Sequence, residues 1–219
     1  MVITAAAPAL RVRRRRVGLP LPAEFYDRET ALVARELLGA VLECRTRAGV
    51  TRGRIVETEA YLGPNDPACH AAAGITKRNR HLHGPPGTAY VYFIYGVHWC
   101  VNAVTRELGH GSAVLIRAVE PVQGLPLMRR RRGNTPDRDL ANGPGKLCQA
   151  LGIDGRHNGT SLVRGAVRIL RGDPVSGQEV LATPRIGISK AASWPLRFVD
   201  ATSAGASRAR PSTAPRATR

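Results

Sequence analysis

Lysine is nearly missing from this 219-residue chain: Lys77, Lys146 and Lys190 are the only three among 33 basic residues. Acids are also scarce, with 16 Asp and Glu in all, so the formal charge is +17. No apolar run reaches the roughly 20 residues that a membrane-spanning helix needs, which argues against a helical membrane protein. None of the four cysteines, Cys44, Cys69, Cys100 and Cys148, forms a CxxC pair. That removes the zinc-ribbon and thioredoxin patterns. Cys69 and His70 with His81 and His83 match no common structural zinc spacing, so no metal and no cofactor is expected. The N-terminal charges follow a short apolar run instead of preceding it, the reverse of a secretory signal. The chain therefore reads as intracellular, and as cytoplasmic and nucleoid-associated if bacterial.

What is present is a positive charge spread over the whole chain. Arg11 and Arg13–Arg16 stand in an acid-free N-terminus, and Arg208, Arg210, Arg216 and Arg219 in an acid-free C-terminus. Those nine charges leave +8 for the middle, so the body itself is basic. A polyanion such as nucleic acid is the natural partner. The arginine bias can also follow from genome composition, so charge is one argument among several. Residues 1–16 and 203–219 are small, polar and arginine-rich and read as disordered tails. One domain, residues 17–202, lies between them.

Within that domain Asp27 is placed to cap a helix running to about Leu38, closed by Gly39. Ala40–Arg45 and Arg52–Leu62 read as two strands turning around Ala48-Gly49. Alternation on the second puts Ile55, Glu57, Glu59 and Tyr61 on one face. Residues 63–87 form a long loop of the kind that is often functional. Tyr90–Ile94 and Val97–Val104 read as a hairpin with its tip near Tyr95-Gly96. A strand over Ala113–Val119, a helix over Pro121–Arg131, a short helix over Pro144–Leu151 and short strands over Ala166–Leu170, Arg185–Ser189 and Leu196–Val199 complete an α+β pattern with a mostly antiparallel sheet.

Aromatics make up only 5% of the chain, yet four of its five tyrosines, Tyr61, Tyr90, Tyr92 and Tyr95, fall between Arg54 and Arg117. The acids Glu57 and Glu59 share this stretch. A carboxylate beside aromatic walls can take a proton from an attacking water, and two on one face also fit glycoside hydrolysis; spacing leaves the choice between them open. A strand-surface ion pair is the plainer fate of either acid. Tyr61 and Tyr92 can sandwich a base through its π-face, or pack in an ordinary core. Tyr95 at a hairpin tip can act as a wedge in a base stack, or fold back onto the protein. Arg78, Arg80, Arg117 and Lys146 are candidate phosphate ligands, Lys146 at a helix N-terminus already suited to anions.

Taken in series, RIVETEAYLGP, His70, KRNR, PPGTAYVYFIYGVHWCVN, VLIRAVEP and NGPGKLCQALGI resemble the alkyladenine (3-methyladenine) DNA glycosylase family, in order from about Leu19 to Phe198. The resemblance implies a single α+β domain with a curved, mostly antiparallel sheet flanked by helices and a protruding β-hairpin. It implies a monomer acting on double-stranded DNA that contains damaged purines, among them 3-methyladenine, 7-methylguanine, hypoxanthine and ethenoadenine. It assigns the catalytic base to Glu59, with His70 and Arg117 holding the water. It assigns the pocket walls to Tyr61 and Tyr92, discrimination against guanine to Asn102 and the intercalating role to Tyr95. Arg78, Arg80 and Lys146 are left to the DNA backbone. The site stretch holds no lysine apart from Lys77 in the basic loop, which fits water as nucleophile and no strand-cleaving step. One departure stands out: after Pro195–Phe198 the family's apolar ending is replaced by VDATSAGAS and an arginine-rich tail. A catalytically silent DNA-binding module and a carbohydrate hydrolase are the competing classes.

Overall fold

A computed structural model describes residues 18–207. The expected tail 1–16 and residues 208–219 of the other lie outside the described residues. The domain is built on one long strand. β-Branched and aromatic residues run through Gly49–Tyr61 and suit a pleated, buried surface. At about 3.4 Å per residue such a strand spans on the order of 40 Å, enough for two partners end to end on one edge.

In chain order the elements are α1 (Ala23–Tyr26), α2 (Thr30–Glu36), β1 (Val41–Thr46), β2 (Gly49–Tyr61), β3 (Ala89–Ile94), β4 (His98–Thr105), β5 (Ser112–Gln123), α3 (Leu125–Arg132), α4 (Pro144–Leu151), β6 (Val167–Leu170), β7 (Val180–Thr183) and β8 (Arg197–Asp200). Eight strands form one sheet in the order β3-β4-β5-β2-β1-β6, with β8 pairing β2 and β7. Each of these pairings is antiparallel. One edge of β2 takes β5. The other takes β1 along Gly49–Arg54 and β8 along Glu57–Glu59. The C-terminal strand thus lies directly beside the two acids.

The sheet has two distinct faces. On one, Ile55, Ala60, Val91, Val101, Ala103, Val114 and Ile116 join Val33 and Ala34 of α2 and Leu147, Cys148, Ala150 and Leu151 of α4 in the main core. Each large side chain buried there contributes about 1.5–3 kcal/mol. Thr58 fastens α2 to the sheet by donating its hydroxyl to Ala34 O at 2.8 Å. α4 opens with Pro144 in its first turn and closes at Gly152, φ 80°, whose N–H returns to Cys148 O. That follows the usual preference for proline at a helix start and glycine just past its end. The other face carries a smaller cluster, with Cys69, Leu82 and Tyr90 packed beside Tyr61 and Tyr92. The functional candidates lie there.

Several sequence expectations are corrected. In place of a helix from Asp27 to Leu38 there is a shorter one, α2, and a second short helix, α1, ends before Asp27. Helix α2 is capped by Glu29, which accepts from Leu32 N at 2.9 Å, and not by Asp27. No helix starts at Pro121, because β5 continues to Gln123 and α3 begins only at Leu125. Proline is tolerated because β4 borders β5 only over Ser112–Leu115, leaving one edge of its far half unpaired by β4. Arg185–Ser189 forms no strand. Besides β2, β8 pairs with Val180–Thr183, which the sequence pattern had not singled out. Ile55 lies on the core face, opposite Glu57. Between Ile55↔Val119 and Glu57↔Ala118, β2 advances two residues for one on β5, and such a bulge breaks simple alternation. Residues 203–207, assigned to the C-terminal tail, pack onto the domain: Ser203 donates to Glu120, and Ser207 to Glu57.

Candidate active site

A further irregularity of the β2–β5 ladder, between Glu57 and Thr58, creates the centre of the site. Glu57 pairs with Ala118 and Thr58 with Ile116, so Arg117 has no partner across the ladder. Its side chain extends between the two acids. Arg117 Nε donates to Glu57 Oε1 at 3.0 Å, and Nη1 to Glu59 Oε2 at 3.1 Å. Both carboxylates are fully buried. Glu59 also accepts from the Tyr61 hydroxyl at 2.9 Å and from Ile186 N at 2.7 Å. The Ile186 contact explains why residues 185–189 form no strand: the amide that a sheet partner would take is given to a catalytic candidate.

The two acids differ in electrostatics. Burial pushes the pKa of Glu59 up, and Arg117, the Ile186 amide and Tyr61 do not offset it. Burial pushes in the same direction at Glu57, but Arg117, Ser207 and Arg197 outweigh it and hold its pKa below the ordinary glutamate value. The surroundings thus favour the charged form of Glu57 more than that of Glu59.

Three hydrogen-bond partners of Glu59, Tyr61, Arg117 and Ile186, line a cavity of about 440 Å³, within the range of small-molecule sites, about 300–1,000 Å³. Tyr61, His70, Tyr92 and Asn102 line it. The His70 ring meets Tyr92 edge-on at 4.6 Å between centroids, and Tyr90 lies 5.4 Å from Tyr92. His70 Nδ1 is 2.9 Å from the Tyr90 hydroxyl. Partial burial and the nearby Arg78 hold the His70 pKa below its ordinary value, which favours a neutral imidazole. Burial pushes the Tyr90 phenol up to about 12. Asn102 donates its side-chain amide to Tyr90 O at 2.9 Å, which locks its orientation at the cavity wall.

The long loop that carries His70 is pinned at two points. Asp66 accepts from the amides of Leu62 and Ala68, each at 3.1 Å, and forms a buried bidentate pair with Arg185. The Arg185 guanidinium also lies over the Tyr61 ring, 4.7 Å from its centroid. Asn79 donates to His70 O at 3.0 Å and Gly74 O at 2.8 Å. Sequence reasoning missed Asp66, Asn79, Arg185, Arg197 and Ser207. Asn79 stands inside the quoted motif KRNR and Arg197 within Pro195–Phe198, and that was the only signal for them.

The remaining candidates lie outside this buried centre. Tyr95 is 81% exposed and adopts φ 53°, a left-handed conformation uncommon for a bulky residue. Arg78 is exposed and donates to Phe93 O at 2.8 Å, bracing the hairpin. Arg80 is exposed and bonds His81. Lys146, in the first turn of α4 at the cavity mouth, donates to Asn142 Oδ1 at 2.8 Å. Arg117 does not share their surface setting: it is buried, and both Glu57 and Glu59 pair with it. Among the described residues no three His, Cys, Asp or Glu side chains gather where they could hold a metal ion, and no helix is long and apolar enough to cross a membrane.

Cutting a nucleotide's base from its sugar calls for a carboxylate within reach of the anomeric carbon while flat rings grip the base. Glu59 beside Tyr61 and Tyr92 supplies those residue types, and the family match that follows places the protein in the class of hydrolases that act on N-glycosyl bonds in DNA. Residues 24–204 match the model of the methylpurine-DNA glycosylases. A protein from Methanoculleus marisnigri is 52% identical over 183 residues, covering 82% of this chain and 94% of that protein. One from Carboxydothermus hydrogenoformans is 48% identical over 179 residues, 81% and 93% respectively, and one from Myxococcus xanthus 48% over 174 residues, 80% and 84%. All three are provisionally named 3-methyladenine DNA glycosylases. The chain belongs to the methylpurine-DNA glycosylase family.

Proposed function

We propose that this protein is a monofunctional glycosylase that flips a damaged purine out of duplex DNA and hydrolyses its N-glycosidic bond with a water activated by Glu59. It would act as a monomer, on 3-methyladenine, 7-methylguanine, hypoxanthine and ethenoadenine, and so begin base excision repair. The supporting observation is the setting of Glu59: buried beneath an aromatic cavity, with its pKa raised by burial. A base works best when its pKa lies near the operating pH. In the reaction, the water oxygen attacks C1′, its proton passes to Glu59, and the purine leaves with the electrons of the broken C–N bond. An alkylated purine is cationic and departs as a neutral molecule, so aromatic walls suffice to hold it. A neutral lesion needs a proton as it leaves.

Within this reading Tyr61 and Tyr92 grip the flipped base. Asn102, fixed against Tyr90 O, stands where an amino group on the base would meet it. His70, held neutral, and Arg117 orient the water. Tyr95 fills the space left in the stack, offsetting the few kcal/mol of base extrusion. Arg78, Arg80 and Lys146 meet the phosphates. The test is single-turnover excision on duplexes carrying hypoxanthine or ethenoadenine and on methylated DNA, with Glu59→Gln beside the wild type. Release of free base by the wild type alone is the expected result. Lesion-dependent binding with no release by the wild type would instead mark a damage-recognition module.

A further inference from the structure

The mechanism leaves one buried acid unused. Glu57 has no solvent exposure, yet it accepts more donors than Glu59. Arg197 Nε reaches its Oε1 at 2.6 Å, Arg117 Nε at 3.0 Å and the Ser207 hydroxyl at 2.7 Å, while Ser207 N reaches Oε2 at 2.6 Å. Three separate segments converge on it: β5 with Arg117, β8 with Arg197, and the chain just beyond β8 with Ser207. This is a large investment of polar groups in a side chain that does not line the cavity.

We propose that Glu57 is a positioning residue: fixed by Arg197 and Ser207, it holds Arg117 between the two carboxylates, so that Glu59 stays free to accept a proton from water. The inference rests on the reading of Glu59 as the base. Two carboxylates and two guanidiniums, Arg117 and Arg197, make up the charges of this buried cluster. With Glu57 neutral, the arginine charge would fall on Glu59 alone. Arg117, released from Glu57, would close onto Glu59 with both arms of its fork. A carboxylate gripped in this way is a weaker base. The other groups facing Glu59 are Tyr61 on β2, Tyr92 on β3, Cys100 on β4, and the Ile186 amide and Arg185 of the loop before β8. None of them replaces the negative charge of Glu57.

The test is the pH profile of single-turnover excision on a hypoxanthine duplex for wild type, Glu57→Gln and Glu57→Asp, with duplex affinity measured alongside. Glu57→Gln is expected to move the acid limb to lower pH by about half a unit or more. Its plateau rate should fall about tenfold, with affinity for the lesion duplex unchanged. Glu57→Asp keeps the charge and should return the limb toward that of the wild type. A purely structural role would lower the melting temperature and leave the limb in place, and an unmoved limb in folded Glu57→Gln overturns the proposal. Should that variant not fold, Ser207→Ala removes one donor to Glu57 and keeps every charge. Its rate should fall about threefold at unchanged affinity, and a wild-type rate overturns the proposal. A wild type that releases no base at all defeats the reading of Glu59 itself, and this inference with it.

Discussion

The ion cluster beneath the cavity floor and the tip of the β3–β4 hairpin are opposites. In the cluster, Glu57, Glu59, Arg117 and Arg197 are almost without solvent exposure and are linked through Arg117 and Glu57. At the tip, Tyr95 is exposed, sits at positive φ and is followed by Gly96, also at positive φ. An ion cluster buried in a medium of low dielectric punishes the loss of any one partner. An exposed ring on a two-stranded projection gives up almost no folding energy when removed. Under the proposed roles, the chemistry is built where displacement is most costly, and the contact with DNA where it is cheapest.

Four substitutions probe that contrast, the largest effect first. Glu59→Gln should lower the single-turnover excision rate by roughly 10³-fold, within the range for loss of a general base, while lesion-duplex binding persists. In the wild type, Glu59 acts only when ionised. Because its pKa is raised by burial, the rate should fall with decreasing pH already above the ordinary glutamate value of about 4.3. A limb at or below that value would mean that Arg117 outweighs burial. Arg185→Met leaves Asp66 buried and unpaired and should cost about 3 kcal/mol of stability in chemical denaturation. Arg185, together with the Leu62 and Ala68 amides, outweighs burial at Asp66 and depresses its pKa, so this contribution is complete above the ordinary aspartate value of about 3.9. It is lost as the pH falls through the lower folded value. An unchanged midpoint would show that the loop is held by Asn79 alone.

Tyr95→Ser should weaken lesion capture about tenfold in duplex DNA and leave single strands unaffected, with stability altered by no more than about 0.5 kcal/mol. Equal loss on both substrates would remove the wedge from the mechanism, and a large loss of stability would erase the contrast between tip and floor. Arg78→Ala should lower affinity only a few-fold, with no lesion preference, and reduce the salt slope of binding by about one. A change in lesion preference would instead assign Arg78 to the cavity, through Phe93 O or His70.

Much of this layout is legible in the chain. The spacing of Glu57, Glu59 and Tyr61 sets them on one face, and the structure keeps them there. Tyr95-Gly96 marks a hairpin tip, and Pro144 to Leu151 marks a helix. The failures share one cause. Arg185–Ser189 alternates like a strand, but its amide is claimed by Glu59. Pro121 looks like a helix start, but Arg54↔Glu120 and Gly53↔Pro121 pairing carries β5 past it. Ser207 stands in a stretch that looks like a tail, yet it donates twice to a buried acid. In each case a contact distant in sequence overrides the local pattern.

The sequence by itself determined the family, the α+β plan and which residue types meet at the site, because motif order and side-chain periodicity are local properties of the chain. Only the tertiary structure decided what separates two glutamates two residues apart. Strand β8 and Ser207 arrive beside Glu57 and hold it charged, while burial raises the pKa of Glu59 against the pull of Arg117. A pKa is set by the dielectric and the charges around a group in space. Here those charges come from residues 60 and 140 positions away in the chain.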